Sequence, residues 1–204
     1  MGTKKMLYGA SGHAKVIIDI LCCNNYQING ILDDFSEEKY LYEIPIYKPN
    51  IYEISNNTEF LITIGDNTIR KNITSQIFNP FFNAIHPKSI ISRFSKIGNG
   101  TAIMANVVIN ADVTIGDHCI INSSSIIEHE CIIGNYVHIS PNACLAGNVS
   151  VGEGSHIGIG ASIIPNIKIG KWAKIGAGAV IIQDVPDFAC VVGNPGKIIK
   201  FLNP

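Results

Sequence analysis

From Ile85 to Ile181 an aliphatic residue stands at every sixth position, seventeen in strict step, all isoleucine except Leu145 and Val151. Four residues after each comes a small or β-branched one, such as Ser125, Cys131, Val137 and Ala143. A period of six fits neither an α-helix at 3.6 nor a flat strand at 2.0. It fits a chain that makes a short strand, turns and repeats, with one large and one small side chain pointing inward per unit. Gly, Asn and Asp near the turns supply backbone shapes that other residues resist. Three units close a triangular coil, so the stretch makes between five and six coils stacked about 4.8 Å apart. This is the pattern of a parallel β-helix built from hexapeptides.

The period leaves handedness open, and the general crossover rule favours right-handed connections. At 204 residues, 47% hydrophobic and 15% charged, the chain reads as a soluble globular protein with a real core. A net charge of −1 argues against a broad nucleic-acid surface. No apolar run approaches the roughly 18 residues of a membrane span, and no apolar stretch of signal-peptide type follows Met1 to Met6. A cytoplasmic protein is therefore expected. The six cysteines show no CxxC spacing and read as reduced core thiols.

Before the repeats, residues 4 to 34 read as strand, loop, helix, strand. Lys5 to Tyr8 is a first strand and Gly9-Ala10-Ser11-Gly12-His13 a loop. Lys15 to Cys23 is a helix with Val16, Ile17, Ile20 and Leu21 on its buried side. Gly30 to Leu32 is a second strand ending at Asp33-Asp34. Phe60 to Ile64 is a third, ending in Gly65-Asp66-Asn67, with a helix to about Ile77. Strands alternating with helices predict a small parallel, Rossmann-like sheet over residues 1–83, with its ligand edge at the loops after Tyr8, Leu32 and Ile64. The Gly9–Gly12 turn is either a phosphate cradle at a helix N-terminus or a tight structural turn, since it is not a full GxGxxG. Phe81 and Phe82 are expected to pack this domain on the first coil. The β-helix is expected over 84–186, ending at Val185-Pro186 because Pro cannot supply a ladder N–H. A tail follows over 187–204. Lys168, Lys171, Lys174, Lys197 and Lys200 make that end basic, either as a solvated surface or as an attraction for an anionic cofactor.

Stacked coils place residues 18 apart in one column, which tests neighbours without a structure. His129, on the outward side, has Ala111 below and Gly147 above, and Glu128 and Glu130 flank it. Open space around an imidazole with a carboxylate beside it suits a general base. His138 and His156 also share a column. A metal needs three converging histidines, and of the gaps between His118, His129, His138 and His156 only the last is 18. No metal is expected. His118 and His86 carry no special signal.

The run Ser123 to Gly134, with its Glu-His-Glu, resembles the sugar acetyltransferases of the left-handed β-helix group. With the Gly-Ala-Ser-Gly-His loop, Asp33-Asp34, Ile64-Gly65-Asp66-Asn67 and the closing Gly193-Asn194-Pro195-Gly196-Lys197, the whole chain is most similar to the PglD/NeuD-type family. These are N-acetyltransferases acting on UDP-4-amino-4,6-dideoxy sugars for bacterial glycans. The resemblance implies a left-handed coil, a homotrimer with active sites between coils, and direct transfer from acetyl-CoA without metal. It makes His129 the base and Glu130 the residue that raises its basicity. Ser11, Gly12 and His13 would hold the diphosphate, Asp33 and Asp34 the uracil and ribose end, Gly65 would close over the nucleotide, and Asn122 would contact the sugar. His138 would meet the acetyl end of acetyl-CoA, with Gly147, Ile159 and Ala177 along the pantetheine channel. The family often has Gly where Ala177 stands and Ala where Gly196 stands. Alternatives to this reading are O-acetylation of a sialic acid, a GDP-linked amino sugar as acceptor, a non-catalytic nucleotide-binding scaffold, and a metal hydratase.

Overall fold

The computed structural model describes residues 2–202. The N-terminal domain is a five-stranded sheet of order β3-β4-β2-β1-β5, built from β1 (Lys4–Tyr8), β2 (Gly30–Leu32), β3 (Tyr40–Leu41), β4 (Ile44–Tyr47) and β5 (Thr58–Ile62). All pairs are parallel except β3 with β4. That hairpin was not anticipated; its strands are short and mostly half-exposed, so they carry little apolar pattern. Helix α1 runs Gly12–Cys23, three residues earlier than the sequence suggested. Ala14, Ile17, Ile18 and Leu21 are buried at i, i+3, i+4 and i+7, the spacing of one helix face. Val16 falls off that stripe and is 45% exposed, so Ile18 takes the buried place expected for it. Helix α2 spans Asn67–Thr74, and the Asp66 side chain accepts the Ile69 amide at its N-terminus.

The joint forms as expected. Phe60 and Phe81 bridge in parallel, Phe82 is buried, and Lys5 Nζ stands 4.4 Å from the Phe82 ring centroid.

The remainder is a parallel coil of seventeen two-residue strands, β6–β22, from Ala84–Ile85 to Val180–Ile181. Partners are 18 residues apart, as in Ile126 with Cys144 and His138 with His156. Three faces result. The first carries Ile120–Ile121, His138–Ile139, His156–Ile157 and Lys174–Ile175; the second carries Ile126–Ile127 and Cys144–Leu145; the third carries Ile132–Ile133 and Ser150–Val151. Every inward aliphatic residue from Ile103 to Ile181 is buried, as is every small residue in the alternate slot from Val107 to Val185. Each such isoleucine contributes about 1.5–3 kcal/mol of burial. The parallel hexapeptide architecture expected from the period is thus the fold, of the left-handed hexapeptide type.

At the corners the residue three after each inward aliphatic from Ile97 to Ile175 takes a left-handed backbone. Asn106, Asp112, Asn142, Asn148 and Asn166 fill this slot, but so do His118, Glu130, Tyr136 and Trp172, with φ between +54° and +62°. A side chain other than Gly or Asn is disfavoured there by about 1–2 kcal/mol, so these residues are held against local preference.

The ladder does not end at Pro186. Strand β23 (Ala189–Val192) pairs parallel with Lys174–Ile175 and extends the first face, and β24 (Lys197–Phe201) returns antiparallel on it. Pro186 lies in the turn, so its missing N–H interrupts no pair.

Candidate active site

Three loops meet at the C-terminal edge of the N-terminal sheet. The Asp33 carboxylate accepts Ala10 N at 2.7 Å through Oδ2, and Phe35 N and Ser36 N through Oδ1. Burial would raise its pKa, but these amides and the Lys48 charge hold it below the usual carboxylate range. Asp33 thereby fixes the Gly9–Gly12 loop, with three of its acceptor positions spent on protein. Asp34 is exposed, and its Oδ2 accepts the Tyr8 hydroxyl at 2.7 Å. Ser11 is the N-cap of α1, yet its side chain makes no capping bond. Ser11 and Gly12 are exposed, so the first-turn amides and the Ser11 hydroxyl are open to an anion. His13 follows with a buried Nε2 that has no partner among the described residues. Burial, then the Arg70 charge, lowers its pKa to about 4, so it is neutral.

Gly65 brings this edge onto the first face of the coil. It lines a cleft of roughly 1040 Å³ together with Asp66, Thr68 and Lys71 of the α2 region and His138, His156, Trp172 and Lys174 of the coil. A Cβ on Gly65 would meet nothing within 4 Å. Asn122 Nδ2 lies 3.1 Å from His138 Nε2, and Asn122 Oδ1 accepts Ser123 N at 2.8 Å. The second bond fixes the amide orientation, so Nδ2 donates to Nε2 and the His138 proton sits on Nδ1. That nitrogen is buried beside the Gly65 backbone and makes no hydrogen bond of good geometry among the described residues. His138 stacks on His156 with centroids 4.6 Å apart. Burial, the His156 charge and Arg70 lower its pKa to about 3. It is a neutral donor.

His129 and Glu130 lie elsewhere, at the corner between the second and third faces. His129 Nδ1 and Glu130 Oε2 are 3.0 Å apart, and both side chains are exposed. The ring rests against Gly147, as the column expected: a Cβ there would lie 2.6 Å from Cε1 and 2.7 Å from Nε2. The Gly147 amide makes no hydrogen bond among the described residues. Ile159 and Ala177 sit at a different corner, after the first face, and both are exposed. Within one chain the expected site residues thus form separate groups: the sheet edge with Gly65, His138 and Asn122; the His129–Glu130–Gly147 corner; and Ile159 with Ala177. His129 does not line the cleft.

His156, Lys174, Trp172 and Lys71 escaped the sequence reading as cleft residues. The 18-residue column that pairs His138 with His156 also reaches Lys174, and was the available signal. His118, set aside earlier, is buried between Phe81 and Tyr136, with centroids 4.5 and 5.2 Å away. Among the described residues no three His, Cys, Asp or Glu side chains converge as a metal set, and no helix is long and apolar enough to cross a membrane.

A nucleotide-type sheet edge closing on a hexapeptide coil with an exposed His–Glu pair defines a class, the hexapeptide transferases with an N-terminal ligand domain. Residues 4–77 match the PglD N-terminal domain, and residues 94–129 and 148–183 match the bacterial transferase hexapeptide (six repeats). PerB from Caulobacter crescentus, solved with CoA and GDP-perosamine, is 34% identical, with a TM-score of 0.90 over 97% of each chain. The acetyltransferase domain of PglB from Neisseria gonorrhoeae FA1090, solved with acetyl coenzyme A, is 31% identical, with a TM-score of 0.90 over 98% of this chain and 100% of that one. The UDP-N-acetylbacillosamine N-acetyltransferase of Bacillus subtilis (strain 168) is 40% identical over 108 residues, 48% of this chain and 50% of that protein. The chain thus spans about half the length of this curated relative, and 21% of an uncharacterized protein of Acanthamoeba polyphaga mimivirus that is 35% identical over 109 residues. The chain belongs to the PglD-type family of hexapeptide-repeat sugar N-acetyltransferases.

Proposed function

We propose that the protein transfers an acetyl group from acetyl-CoA to the 4-amino group of a UDP-linked 4-amino-4,6-dideoxy sugar, as a cytoplasmic homotrimer. The observation that carries the reading is the His129–Glu130 pair, exposed at a corner against a glycine that leaves the ring room. An imidazole whose Nδ1 faces a carboxylate presents Nε2 as the base. In a trimer, that corner of one coil would meet the first face of its neighbour, where His138 and Asn122 lie beneath Gly65.

His129 Nε2 takes a proton from the sugar amine as the nitrogen attacks the thioester carbonyl. The tetrahedral oxyanion is met by the free Gly147 amide. The C–S bond then breaks, the amide forms, and the imidazolium returns its proton to the departing thiolate. No covalent enzyme intermediate is required, so no cysteine is needed for the chemistry; of the six expected in the core only Cys119 and Cys131 are buried, Cys22 and Cys23 being exposed on α1, and burial raises the Cys119 pKa to about 12. Ser11, the α1 amides and His13 hold the diphosphate, and Asp34 is the carboxylate left for the nucleoside. His138 Nδ1–H donates toward the acetyl end, with Ile159 and Ala177 along the pantetheine arm.

The similarity over the whole chain to a protein bound to GDP-perosamine supports a second reading, a GDP-linked 4-amino sugar. Thiol release from acetyl-CoA on adding UDP- or GDP-4-amino sugars separates the two, and release with neither would refute both. His129→Ala is expected to lower kcat by about 10²–10⁴-fold with the fold intact; near-normal turnover would remove His129 as the base. Protection by UDP against thermal unfolding separates a nucleotide-linked acceptor from a free sugar.

A further inference from the structure

Arg70 of α2 is buried to 1% exposure, yet among the described residues no carboxylate pairs with it. Its five N–H groups meet five acceptors. Nε donates to His118 O at 2.8 Å; Nη1 donates to Ile64 O at 3.0 Å and Gly65 O at 3.2 Å; Nη2 donates to Asn67 Oδ1 at 2.8 Å and Tyr136 O at 2.9 Å. Asn67 in turn donates from Nδ2 to Gly154 O at 2.9 Å and Ser155 O at 3.2 Å. His118, Tyr136 and Gly154 are left-handed corner residues of three successive coils. Their carbonyls point outward at the corner and take no ladder bond. Only arginine offers five donors in one rigid fork. The side chain therefore ties two carbonyls of the ligand loop to the outer edge of the coil.

This connection reaches beyond cohesion. Gly65, held from behind by Arg70, lines the cleft beside His138, and a Cβ on it would meet nothing within 4 Å. The nearby Asp66 carboxylate accepts the Ile69 amide and makes no ion pair with Arg70, so it offsets the guanidinium charge behind the loop only in part. Burial brings its pKa down to about 10, and it stays charged at neutral pH.

We propose that Arg70 is a positioning residue for the acceptor: its fork sets the height of the Gly65 loop above His138, and its charge favours the nucleotide diphosphate in front of that loop. The proposal rests on the nucleotide-sugar reading above. It assigns Arg70 to acceptor binding, separately from the acetyl donor.

The test compares wild type, Arg70→Lys and Asn67→Ala in the full chain. KM is measured separately for the nucleotide amino sugar and for acetyl-CoA, alongside calorimetric binding of UDP and the melting temperature. Lysine keeps the charge and loses the fork. The expected result is a rise of about tenfold in the sugar KM and the UDP Kd, the scale of one lost charge-assisted bond, with the acetyl-CoA KM within about twofold. Asn67→Ala, which leaves Arg70 in place, should give a smaller rise with the same selectivity. A folded Arg70→Lys with wild-type sugar KM, or equal losses for both substrates, overturns the proposal. Should Arg70→Lys not fold, the same criteria apply to Asn67→Ala. If wild type acetylates no nucleotide amino sugar, the acceptor reading has failed, and the UDP arm still reads the role of Arg70.

Discussion

The imidazole of His129 lies flat against the α-carbon of Gly147, one coil above it, with Cε1 and Nε2 both inside 3 Å of where a methyl would stand. Gly147 has an ordinary backbone, so its reason for lacking a side chain is the ring. Gly147→Ala should displace the exposed His129 side chain rather than strain the core. The expected outcome is a fall of about tenfold or more in kcat, the scale of a misplaced catalytic group, with the melting temperature nearly unchanged. Steady-state kinetics beside a thermal melt checks it.

Glu130 occupies a left-handed corner at φ +62° and still carries a long side chain whose carboxylate reaches His129 Nδ1. Glu130→Gln keeps the shape and removes the charge that steadies an imidazolium. A drop in kcat of about tenfold is expected, smaller than for His129→Ala, with KM for both substrates little changed.

The buried histidines make stability depend on acid. His118 is neutral in the fold, with its pKa lowered by burial from the ordinary 6.5 to about 4; His13 behaves alike. A lowered folded pKa means that the unfolded chain binds more protons between those values. Their neutral-state contribution is therefore fully present above about pH 6.5 and is lost as pH falls toward 4. His118→Phe, which also removes a buried Nδ1 without a partner, should flatten the fall in melting temperature between pH 7 and pH 5.

Gly154 stands between Tyr136 and Trp172 in the corner column, at φ +70°, and an added Cβ would collide with the Trp172 ring. Its carbonyl also receives Asn67. Gly154→Ala combines a disfavoured backbone with overpacking and should cost about 2 kcal/mol, measured by chemical denaturation.

The coil was legible because its core repeats: one inward isoleucine in six fixes the strand, and the 18-residue column follows by counting. The same counting put His129 beside Gly147 and His138 beside His156. The short hairpin β3–β4 gave no signal, because Tyr40 to Tyr47 buries too little to show alternation. Pro186 misled because the first face resumes at Ala189, after a turn where no N–H is needed. Arg70 was invisible for another reason. In sequence it is an ordinary helix cation, and its five acceptors are backbone carbonyls that no residue identity advertises. His118, Tyr136 and Trp172 did leave a trace, as bulky residues in a slot suited to Asn and Gly; that trace marks the column against which α2 docks.

His129 rides one edge of the prism while His138 stands on a wall that the same edge does not border. In the proposed homotrimer, each pocket would borrow its base from next door. Two lifeless variants, one missing each imidazole, would rescue one another when mixed: random assembly would recover about a quarter of the intact pockets, and neither parent alone would recover any.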